Sequence, residues 1–355
     1  MLTCLKLRNF KCFSDTTIDL KELTILAGGN ATGKSSVMQA ILLYAFVPKK
    51  NSLLVDVNDA YDLNLGVAKS LISHDPKGDD NFIEMSMGIG GRLGKVLLKP
   101  SDQSPNSLEH LNSTPNLDLG NLYLKYLKAE RLGSRTSTKA SSSHDDLGYS
   151  GEFTPSVIEN ADNSEVRVHD LLAKGKKATK FSAQVENWIS AIMGNMNIDV
   201  TTDYTKGLTD MRIKNPVTEF GVSPTLTGFG ISYVLPIVVA GLLCSSRPDS
   251  VLLIENPEAH LHPMAQSNIG KFLAILAQCG VQVIAETHSE HIIDGARLQL
   301  KNDKETDRMV INFFEIQRKR VQMETISLNS KGELTHWPKG FFDQKQQDLR
   351  ELLSK

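Results

Sequence analysis

The chain has 355 residues, of which 40% are hydrophobic and 23% are charged, and its formal net charge at pH 7 is -2. This length suits one large α/β domain with insertions or two lobes, and the near-neutral charge excludes a global basic field for nucleic acid. The four cysteines have no metal-ligand spacing and no leader peptide is apparent, so we expect a cytoplasmic protein with reduced thiols.

Residues 1–100 are predicted to form an N-terminal lobe that is rich in strands. Short alternating or apolar runs predict strands at 2–7, 16–20, 23–27, 82–87 and 95–98. The run at 23–27 is almost entirely apolar and ends before two glycines, which is typical of a buried parallel strand. Apolar residues with helical spacing follow at 33–46.

Residues 101–220 are predicted to form an inserted middle lobe that mixes helical and irregular structure. The segment 100–120 is rich in Ser, Asn and Pro and predicts a loop. Residues 134–150 contain few apolar side chains and predict a mobile surface loop. A helix is predicted at 166–193, with a basic stretch inside it, and two short strands at 198–213.

Residues 221–330 are predicted to form a C-terminal lobe, followed by a small terminal region at 331–355. Within the lobe, strands at 251–254, 281–285, 310–316 and 321–326 alternate with helices at 265–278 and 289–300. This alternation predicts a mostly parallel sheet. The longest apolar run, residues 231–244, contains a proline and is shorter than the roughly 20 residues of a bilayer span, so we expect a buried helix and no membrane partner.

The segment from Gly28 to Ser35 fits the phosphate-binding pattern GxxxxGK[ST]. Such a loop directs backbone N–H groups at phosphate oxygens, because glycine permits the required φ angles and the following helix adds its positive end. Lys34 is expected to reach the β- and γ-phosphates of ATP, and the Ser35 hydroxyl to bind Mg²⁺. A chance match is the alternative, but the position between an apolar strand and a helix favours a nucleotide site. The predicted nucleotide-binding residues are Gly28, Gly29, Asn30, Ala31, Thr32, Gly33, Lys34, Ser35 and Ser36.

An acidic strand end supplies a second part of the predicted site. The apolar residues 251–254 are followed by Glu255, Asn256 and Glu258. If this strand neighbours the P-loop strand in a parallel sheet, Glu255 lies beside the metal that Ser35 binds. Without the P-loop, a core strand capped by an acidic turn would be the simpler interpretation.

Histidines and a glycine pair provide further candidates. His288 follows an apolar strand, at the sheet edge where ligands bind in open α/β folds. His260 and His262 lack partners at zinc-binding spacing, so we do not expect a zinc site. Gly228 and Gly230 precede the apolar helix and predict a second anion-binding helix end. A second phosphate-binding loop suggests a dimer in which one subunit closes the ATP site of the other.

The motifs, in this order and spacing, resemble an ABC-type ATPase of the SMC/RecF-like branch. More specifically, they are similar to stand-alone ATPases related to the OLD (overcoming lysogenisation defect) proteins. The segments that carry the resemblance are LRNFKCF (7–13), GGNATGKSS (28–36), TGFGISYVLP (227–236), LLIENPEAHLHPMAQS (252–267), VIAETHSEHII (283–293) and WPKGFFD (337–343). They frame the whole chain, whereas the middle third matches weakly.

The resemblance implies the fold class and the assembly. It implies an α/β, ABC-type P-loop ATPase head with a mixed sheet, in which lobes 1–100 and 221–330 carry the ATPase motifs and the middle lobe is inserted. It further implies a homodimer that sandwiches ATP and Mg²⁺ head to tail. Residues Gly28–Ser36 would be the Walker A loop, and Ser35 and Glu255 would bind the metal.

The resemblance also implies roles for residues outside the P-loop. Gly228, Phe229, Gly230 and Ser232 would form the signature loop that acts in trans. Residues 259–262 would be the D-loop region, and His288 the switch histidine near the γ-phosphate. Arg131, in the segment YLKAER, is a further candidate for a position near the nucleotide.

Two departures from the family pattern bear on activity. Typical members have Asp then Glu where this chain has Glu255 and Asn256, and asparagine cannot accept the proton of the attacking water. Glu258 is the candidate substitute, so Glu255, Asn256, Glu258 and His288 are the predicted catalytic residues and hydrolysis is expected to be slow. OLD nucleases continue into a metal-binding nuclease domain, whereas about 45 residues follow Val310, which is too few for such a domain.

Three functions compete at this point. The leading hypothesis is an ATP-dependent sensor or scaffold for a separately encoded effector, with a nuclease as the favoured class, in bacterial anti-phage defence. The alternative is a DNA-repair ATPase that binds DNA directly. Its basic candidates are Lys174, Lys176, Lys177 and Lys180, together with Arg318, Lys319 and Arg320. The third is a structural module that binds ATP without hydrolysing it.

Overall fold

The computed structural model describes residues 1–47, 53–77, 81–113, 122–175, 180–218 and 220–354. The chain divides into two compact units. The terminal unit comprises residues 2–120, 286–290 and 300–355, and the central unit comprises residues 121–285 and 291–299 together with Met1. The division predicted from the sequence, with boundaries at residues 100, 220 and 330, stays a prediction.

Strands and helices alternate along much of the chain. The strands are β1 (Leu2–Phe10), β2 (Phe13–Asp19), β3 (Leu23–Gly28), β4 (Leu54–Asp56), β5 (Ile83–Ile89), β6 (Arg92–Pro100), β7 (Ser107–Ser113), β8 (Tyr123–Leu127), β9 (Ser137–Lys139), β10 (Asn197–Asp203), β11 (Leu208–Lys214), β12 (Ser250–Glu255), β13 (Gln282–Glu286), β14 (Met309–Gln317) and β15 (Arg320–Ser327). The α-helices are α1 (Lys34–Phe46), α2 (Thr154–Asn163), α3 (Phe181–Met193), α4 (Gly230–Ser245), α5 (Pro263–Gln278), α6 (Glu290–Asp303) and α7 (Gln344–Leu353).

The terminal unit contains an antiparallel sheet with the strand order β2-β1-β5-β6-β7-β4. The loop predicted at 100–120 is wrong over β7, which pairs with β6 in register Leu98 to His110. Leu108 on β7 is fully buried. The sequence did not indicate this strand because its composition is polar. Its backbone groups are hydrogen bonded by the neighbouring strands, so only one face of the strand needs apolar side chains.

The same unit holds the strand that leads into the P-loop. β3 pairs in parallel with β14, and β14 pairs antiparallel with β15, so the predicted mixed sheet is confirmed. Residues 23–27 of β3 are all buried, as the continuous apolar run indicated. The sheet thereby fixes the point at which the chain leaves β3 and turns into α1.

In the central unit, β8 and β12 pair in parallel, and β13 lies beside β12. α4 packs against β8 and β12, and most of its side chains are buried despite the internal Pro236. The predicted buried helix at 231–244 is therefore correct. Among the described residues, no helix combines the length and apolarity needed to cross a bilayer.

The helix predicted at 166–193 is wrong over residues 166–175, and residues 176–179 lie outside the described residues. The structure has α2 at Thr154–Asn163 and α3 at Phe181–Met193, and between them the described residues contain one short 3-10 turn at Asp170–Leu172. α2 is amphipathic but short, and its buried face includes Val157, Ile158 and Ala161. Tertiary packing stabilises such a short helix, which single-sequence spacing does not detect reliably.

The segment 134–150 contains more regular structure than its composition indicated. Residues 137–139 form β9, which pairs antiparallel with β11. Asn160 Nδ2 donates hydrogen bonds to the carbonyl oxygens of Ser141 at 2.7 Å and Ser143 at 2.9 Å. An ion pair of 3.1 Å joins Asp145 to Arg247. These contacts tie the segment to the rest of the central unit.

Candidate nucleotide site

The turn between β3 and α1 has the geometry of a phosphate cradle. Gly28, Ala31 and Gly33 have φ angles of 139°, 59° and 101°, values that glycine adopts far more readily than other residues. A Cβ atom on Gly28 would lie 2.1 Å from the carbonyl oxygen of Phe314. The first glycine therefore also permits the close approach of the turn to β14.

Lys34 lies inside this turn. Its side chain is 3% exposed, and Nζ donates hydrogen bonds to the carbonyl oxygens of Gly28 at 3.1 Å and Gly29 at 2.6 Å. The backbone carbonyl groups of the loop thus hold the Lys34 ammonium group close to the turn. Thr32 Oγ1 also donates to the Gly29 carbonyl oxygen at 2.9 Å, which closes the turn further.

Ser35, at the start of α1, contacts a carboxylate that sequence reasoning missed. Its Oγ donates a hydrogen bond to Glu286 Oε1 at 3.1 Å, and the same oxygen lies 3.9 Å from Lys34 Nζ. Glu286 is the last residue of β13 and is 5% exposed. One feature of the sequence could have indicated Glu286: it is a carboxylate at the end of an apolar run, two residues before His288. Glu255 was the carboxylate predicted at this position beside Ser35.

A cavity of about 390 Å³ opens beside the turn. It is lined by residues 30–36, which are seven of the nine predicted nucleotide-binding residues, and by His288, which is exposed. Its lining also includes four residues that were not predicted as site residues, namely Lys11, Cys12, Gln39 and Glu286. Lys11 Nζ donates a hydrogen bond to Gln39 Oε1 at 2.5 Å. Lys11 and Cys12 belong to the LRNFKCF segment, which was the signal available for them.

The donor set of this cavity fits ATP and Mg²⁺. An ammonium group and an amide-lined turn at a helix start suit a triphosphate. The Ser35 hydroxyl and the neighbouring Glu286 carboxylate are hard oxygen ligands of the kind that Mg²⁺ prefers.

Glu255, the predicted Walker B residue, lies in a hydrogen-bonded pocket of the central unit. Tyr126 Oη donates to its Oε1 at 3.0 Å, and the backbone N–H of Ala129 donates to its Oε2 at 3.2 Å. Burial raises the pKa of Glu255 above its ordinary value, although both hydrogen bonds oppose that shift. The two hydrogen bonds fix the orientation of the Glu255 carboxylate at the end of β12.

Arg131 binds the backbone at the same end of β12. It is 3% exposed, and its guanidinium donates hydrogen bonds to the carbonyl oxygens of Glu255 at 2.5 Å and Asn256 at 3.1 Å. Burial lowers the pKa of Arg131 to about 10, and among the charges that oppose this shift Glu258 has the largest effect. Arg131 was predicted to lie near the nucleotide, and this stays a prediction. Its contacts within the central unit hold the backbone of Glu255 and Asn256.

Asn256 and Glu258 follow Glu255 in a strained turn. Asn256 has a φ angle of 44°, and its carbonyl oxygen accepts a hydrogen bond from the backbone N–H of Ala259 at 3.2 Å. Asn256 Oδ1 is buried and has no hydrogen-bond partner among the described residues. Asn256 stands at the expected position of the catalytic glutamate. Its unsatisfied amide oxygen can accept a hydrogen bond from a water molecule, but it is too weak a base to remove the water's proton.

The predicted signature loop lies at the start of α4. Phe229 is 58% exposed, and a Cβ atom on Gly228 would have no neighbour within 4 Å. Ser232 is 9% exposed, and its Oγ lies 3.0 Å from Ser134 Oγ. A Cβ atom on Gly230 would lie 3.1 Å from the His260 carbonyl oxygen, which explains the glycine there.

The two histidines of the AHLHP segment have structural contacts. The His260 ring packs against the rings of Tyr233 at 4.4 Å and Phe229 at 5.8 Å between centroids. His262 precedes α5, and its Nδ1 accepts a hydrogen bond from the Met264 backbone N–H at 3.4 Å. No group of three or more His, Cys, Asp or Glu suited to a metal ion occurs within the described ranges.

A comparison with known protein families shows the family of this chain. Residues 23–294 match the family described as "AAA domain, putative AbiEii toxin, Type IV TA system". The chain belongs to this family. Residues 305–352 of this AAA-domain protein also match a family of proteins of unknown function, DUF3696.

The AAA-domain protein is also similar to a curated relative and to solved structures. It is 24% identical over 345 residues to an OLD nuclease of Thermus scotoductus, a match that covers 88% of this chain and 64% of the relative. It resembles an SMC head bound to the C-terminal winged-helix domain of ScpA, with a TM-score of 0.58, 13% identity, and coverage of 92% and 98% of the two chains. A second SMC head, from a complex with a ScpA domain derived from Pyrococcus furiosus, has a TM-score of 0.53, 13% identity, and 99% coverage of both chains.

These comparisons confirm the predicted family and fold. The chain contains the AAA domain of this family, has the fold of an SMC head, and is similar in sequence to an OLD nuclease. The chain spans about 64% of the length of the OLD nuclease that it matches.

Proposed function

We propose that this ATPase is a nucleotide-driven switch in bacterial anti-phage defence. It binds Mg²⁺-ATP at Gly28–Ser36, forms a homodimer around the nucleotide, and acts on a separate effector protein. The observation that supports the nucleotide step is the convergence of Lys34, Ser35, Glu286 and His288 on one cavity. The defence role is supported by the AbiEii toxin in the family description and by the OLD nuclease relative, which also makes a nuclease the favoured effector class.

The chemistry proposed for the site follows from its side chains. Lys34 and the amide-lined turn hold the phosphates, and the Ser35 hydroxyl would hold Mg²⁺, which would supply positive charge at the terminal phosphate. His288 contacts the γ-phosphate from the cavity wall. Because Asn256 stands in place of a general base, hydrolysis is slow and the ATP-bound state persists.

The homodimer is supported by the start of α4. Gly228 and Phe229 are open to solvent, and the positive end of the helix that follows them suits the phosphates of ATP bound to a second copy. Gly228→Asp places a negative charge at this point, in a position with room for a side chain. We expect it to abolish the ATP-dependent dimer in light scattering, whereas the uncharged Gly228→Ser retains it. Equal dimerisation of both variants would contradict the signature-loop role.

Nucleotide binding is tested most directly at Lys34. Lys34→Met removes the charge while keeping most of the buried volume, and we expect the affinity for a fluorescent ATP analogue to fall about 100-fold. Lys6→Ala, on the exposed face of β1, is the matched control and should bind as wild type does. Unchanged affinity in Lys34→Met would remove the basis of the proposed function.

The effector is tested by co-expression with each neighbouring gene. A phage-infection assay should show protection by the pair and loss of protection with Lys34→Met. Protection by the ATPase alone, or by Lys34→Met together with its neighbour, would contradict a separate ATP-controlled effector.

Direct DNA binding is the alternative function. Among its basic candidates, Lys174 Nζ lies 4.0 Å above the Trp188 ring, and Arg320 forms a 2.7 Å ion pair with Asp75. Arg318 and Lys319 form the exposed turn between β14 and β15, while Lys176 and Lys177 lie outside the described residues. The engaged side chains favour the effector hypothesis. Salt-dependent retardation of duplex DNA by the purified protein would instead support direct binding.

A further inference from the structure

A buried carboxylate lines the P-loop cavity at a position to which the sequence motifs assigned no role. Glu286 is 5% exposed and ends β13, and it lines the same cavity as Lys34 and Ser35. Its Oε1 is 3.1 Å from Ser35 Oγ and 3.9 Å from Lys34 Nζ. It therefore contacts both P-loop side chains that are expected to meet the Mg²⁺-triphosphate.

The direction of the Ser35 hydrogen bond bears on metal binding. A carboxylate oxygen can only accept, so the Ser35 hydroxyl donates its proton to Glu286. Both lone pairs of Oγ then remain available, and one can face a cation in the cavity. Glu286 thus selects the hydroxyl orientation that a metal ligand needs.

The charge of Glu286 also acts on the incoming nucleotide. A triphosphate brings several negative charges into a cavity that already holds the Glu286 carboxylate. Electrostatic repulsion therefore weakens the binding of ATP when no cation accompanies it. When Mg²⁺ accompanies the nucleotide, the same carboxylate attracts the ion. With an effective dielectric constant near 20, one charge at a few ångströms changes affinity by at least about tenfold after screening.

We propose that Glu286 is a positioning carboxylate that orients Ser35 toward Mg²⁺ and makes tight ATP binding conditional on the ion. This proposal rests on the ATP binding described above and adds a determinant of metal dependence to it. A purely structural Glu286, which only ties the end of β13 to α1, would affect binding equally with and without Mg²⁺.

The test measures affinity for a fluorescent ATP analogue in Mg²⁺ and in EDTA. For Glu286→Gln we expect affinity in EDTA to rise about tenfold and affinity in Mg²⁺ to fall, so that the Mg²⁺ enhancement shrinks by more than tenfold. Glu286→Asp keeps the charge and should keep the low affinity in EDTA. Glu290→Gln removes one negative charge outside the cavity lining and should match wild type.

The outcomes separate this proposal from the proposed function. If wild type binds nucleotide but Glu286→Gln changes both affinities by the same factor, or neither, Glu286 is structural and the proposal is wrong. If wild type does not bind nucleotide at all, the ATPase function itself fails. Thermal melting establishes that the variant is folded, and Glu286→Thr, which also removes the charge and suits a strand, provides a second test if Glu286→Gln does not fold.

Discussion

Ser35 and Glu286 are 251 residues apart in the chain, yet Ser35 Oγ and Glu286 Oε1 lie 3.1 Å apart in the terminal unit. Ser35 lies in the first turn of α1, and Glu286 is the last residue of β13. This hydrogen bond joins two sequence motifs, GGNATGKSS and VIAETHSEHII, at one point of the cavity.

Gly28 and Gly29 provide a matched pair for the geometry of the P-loop. Alanine at Gly28 combines a φ angle of 139° with a Cβ atom 2.1 Å from the Phe314 carbonyl oxygen, so we expect Gly28→Ala to lose about 2–4 kcal/mol of unfolding free energy. At Gly29 the nearest atom would be Thr32 Cγ2 at 3.5 Å, an ordinary contact, and Gly29→Ala should cost less than about 1 kcal/mol. Urea denaturation measures both. Equal losses would show that the turn does not hold this backbone conformation.

Glu258 and Asn256 are tested by phosphate release. If Glu258 accepts the proton of the attacking water, Glu258→Gln should lower the rate about 100-fold while ATP affinity remains unchanged. If Glu258 serves only as a charge partner of Arg131, the variant should instead lower the melting temperature and leave the rate per folded molecule unchanged. Asn256→Ala is expected to reduce the rate less, because an amide cannot act as a base. An unchanged rate in Glu258→Gln removes that residue from the mechanism.

Cys12 offers a footprint of nucleotide binding that does not depend on hydrolysis. It is exposed at the wall of the P-loop cavity, although partial burial raises the pKa of its thiol. Maleimide labelling at about pH 8.5 should therefore be slow but measurable, and Mg²⁺-ATP should slow it at least about fivefold. Lys34→Met should lose this protection, and Cys12→Ser identifies the labelled peptide. Equal labelling of wild type with and without ATP would place the nucleotide elsewhere.

Cys244 makes alkaline stability predictable. Full burial raises the pKa of its thiol from 9.0 to about 12, so between these values the unfolded chain loses this proton and the folded chain keeps it. The unfolded state then binds fewer protons, and the unfolding free energy falls as pH rises. Between pH 8 and pH 10 this one group lowers stability by about 1.4 kcal/mol.

Cys244→Ala removes this contribution. The variant is less stable than wild type at pH 8 because a cavity replaces the thiol. Its further loss between pH 8 and pH 10, measured by urea denaturation, should be smaller than that of wild type by about 1.4 kcal/mol. An identical pH dependence in the two proteins would mean that the thiolate forms in the folded state.

Local structure was predicted well where residues adjacent in the sequence determine it. β3, the P-loop and α1 depend on a short apolar run, on glycine conformations and on a helix start, all within 24 residues from Leu23 to Phe46. α4 was predicted because nearly all of its residues are apolar and buried. β7 and α2 were missed because pairing with β6 and packing against α3 stabilise them, and neither partner is encoded in their own composition.

The sequence by itself determined that this chain carries a P-loop motif and resembles OLD-like ATPases, because backbone conformation and motif spacing are local properties. Only the tertiary structure decided which carboxylate contacts Ser35. Glu286 and Glu255 both end apolar strands, so the strand pattern alone does not show which of them contacts Ser35. The choice depends on which strand end lies beside the P-loop, and hydrogen bonding and side-chain packing across hundreds of residues of chain decide that.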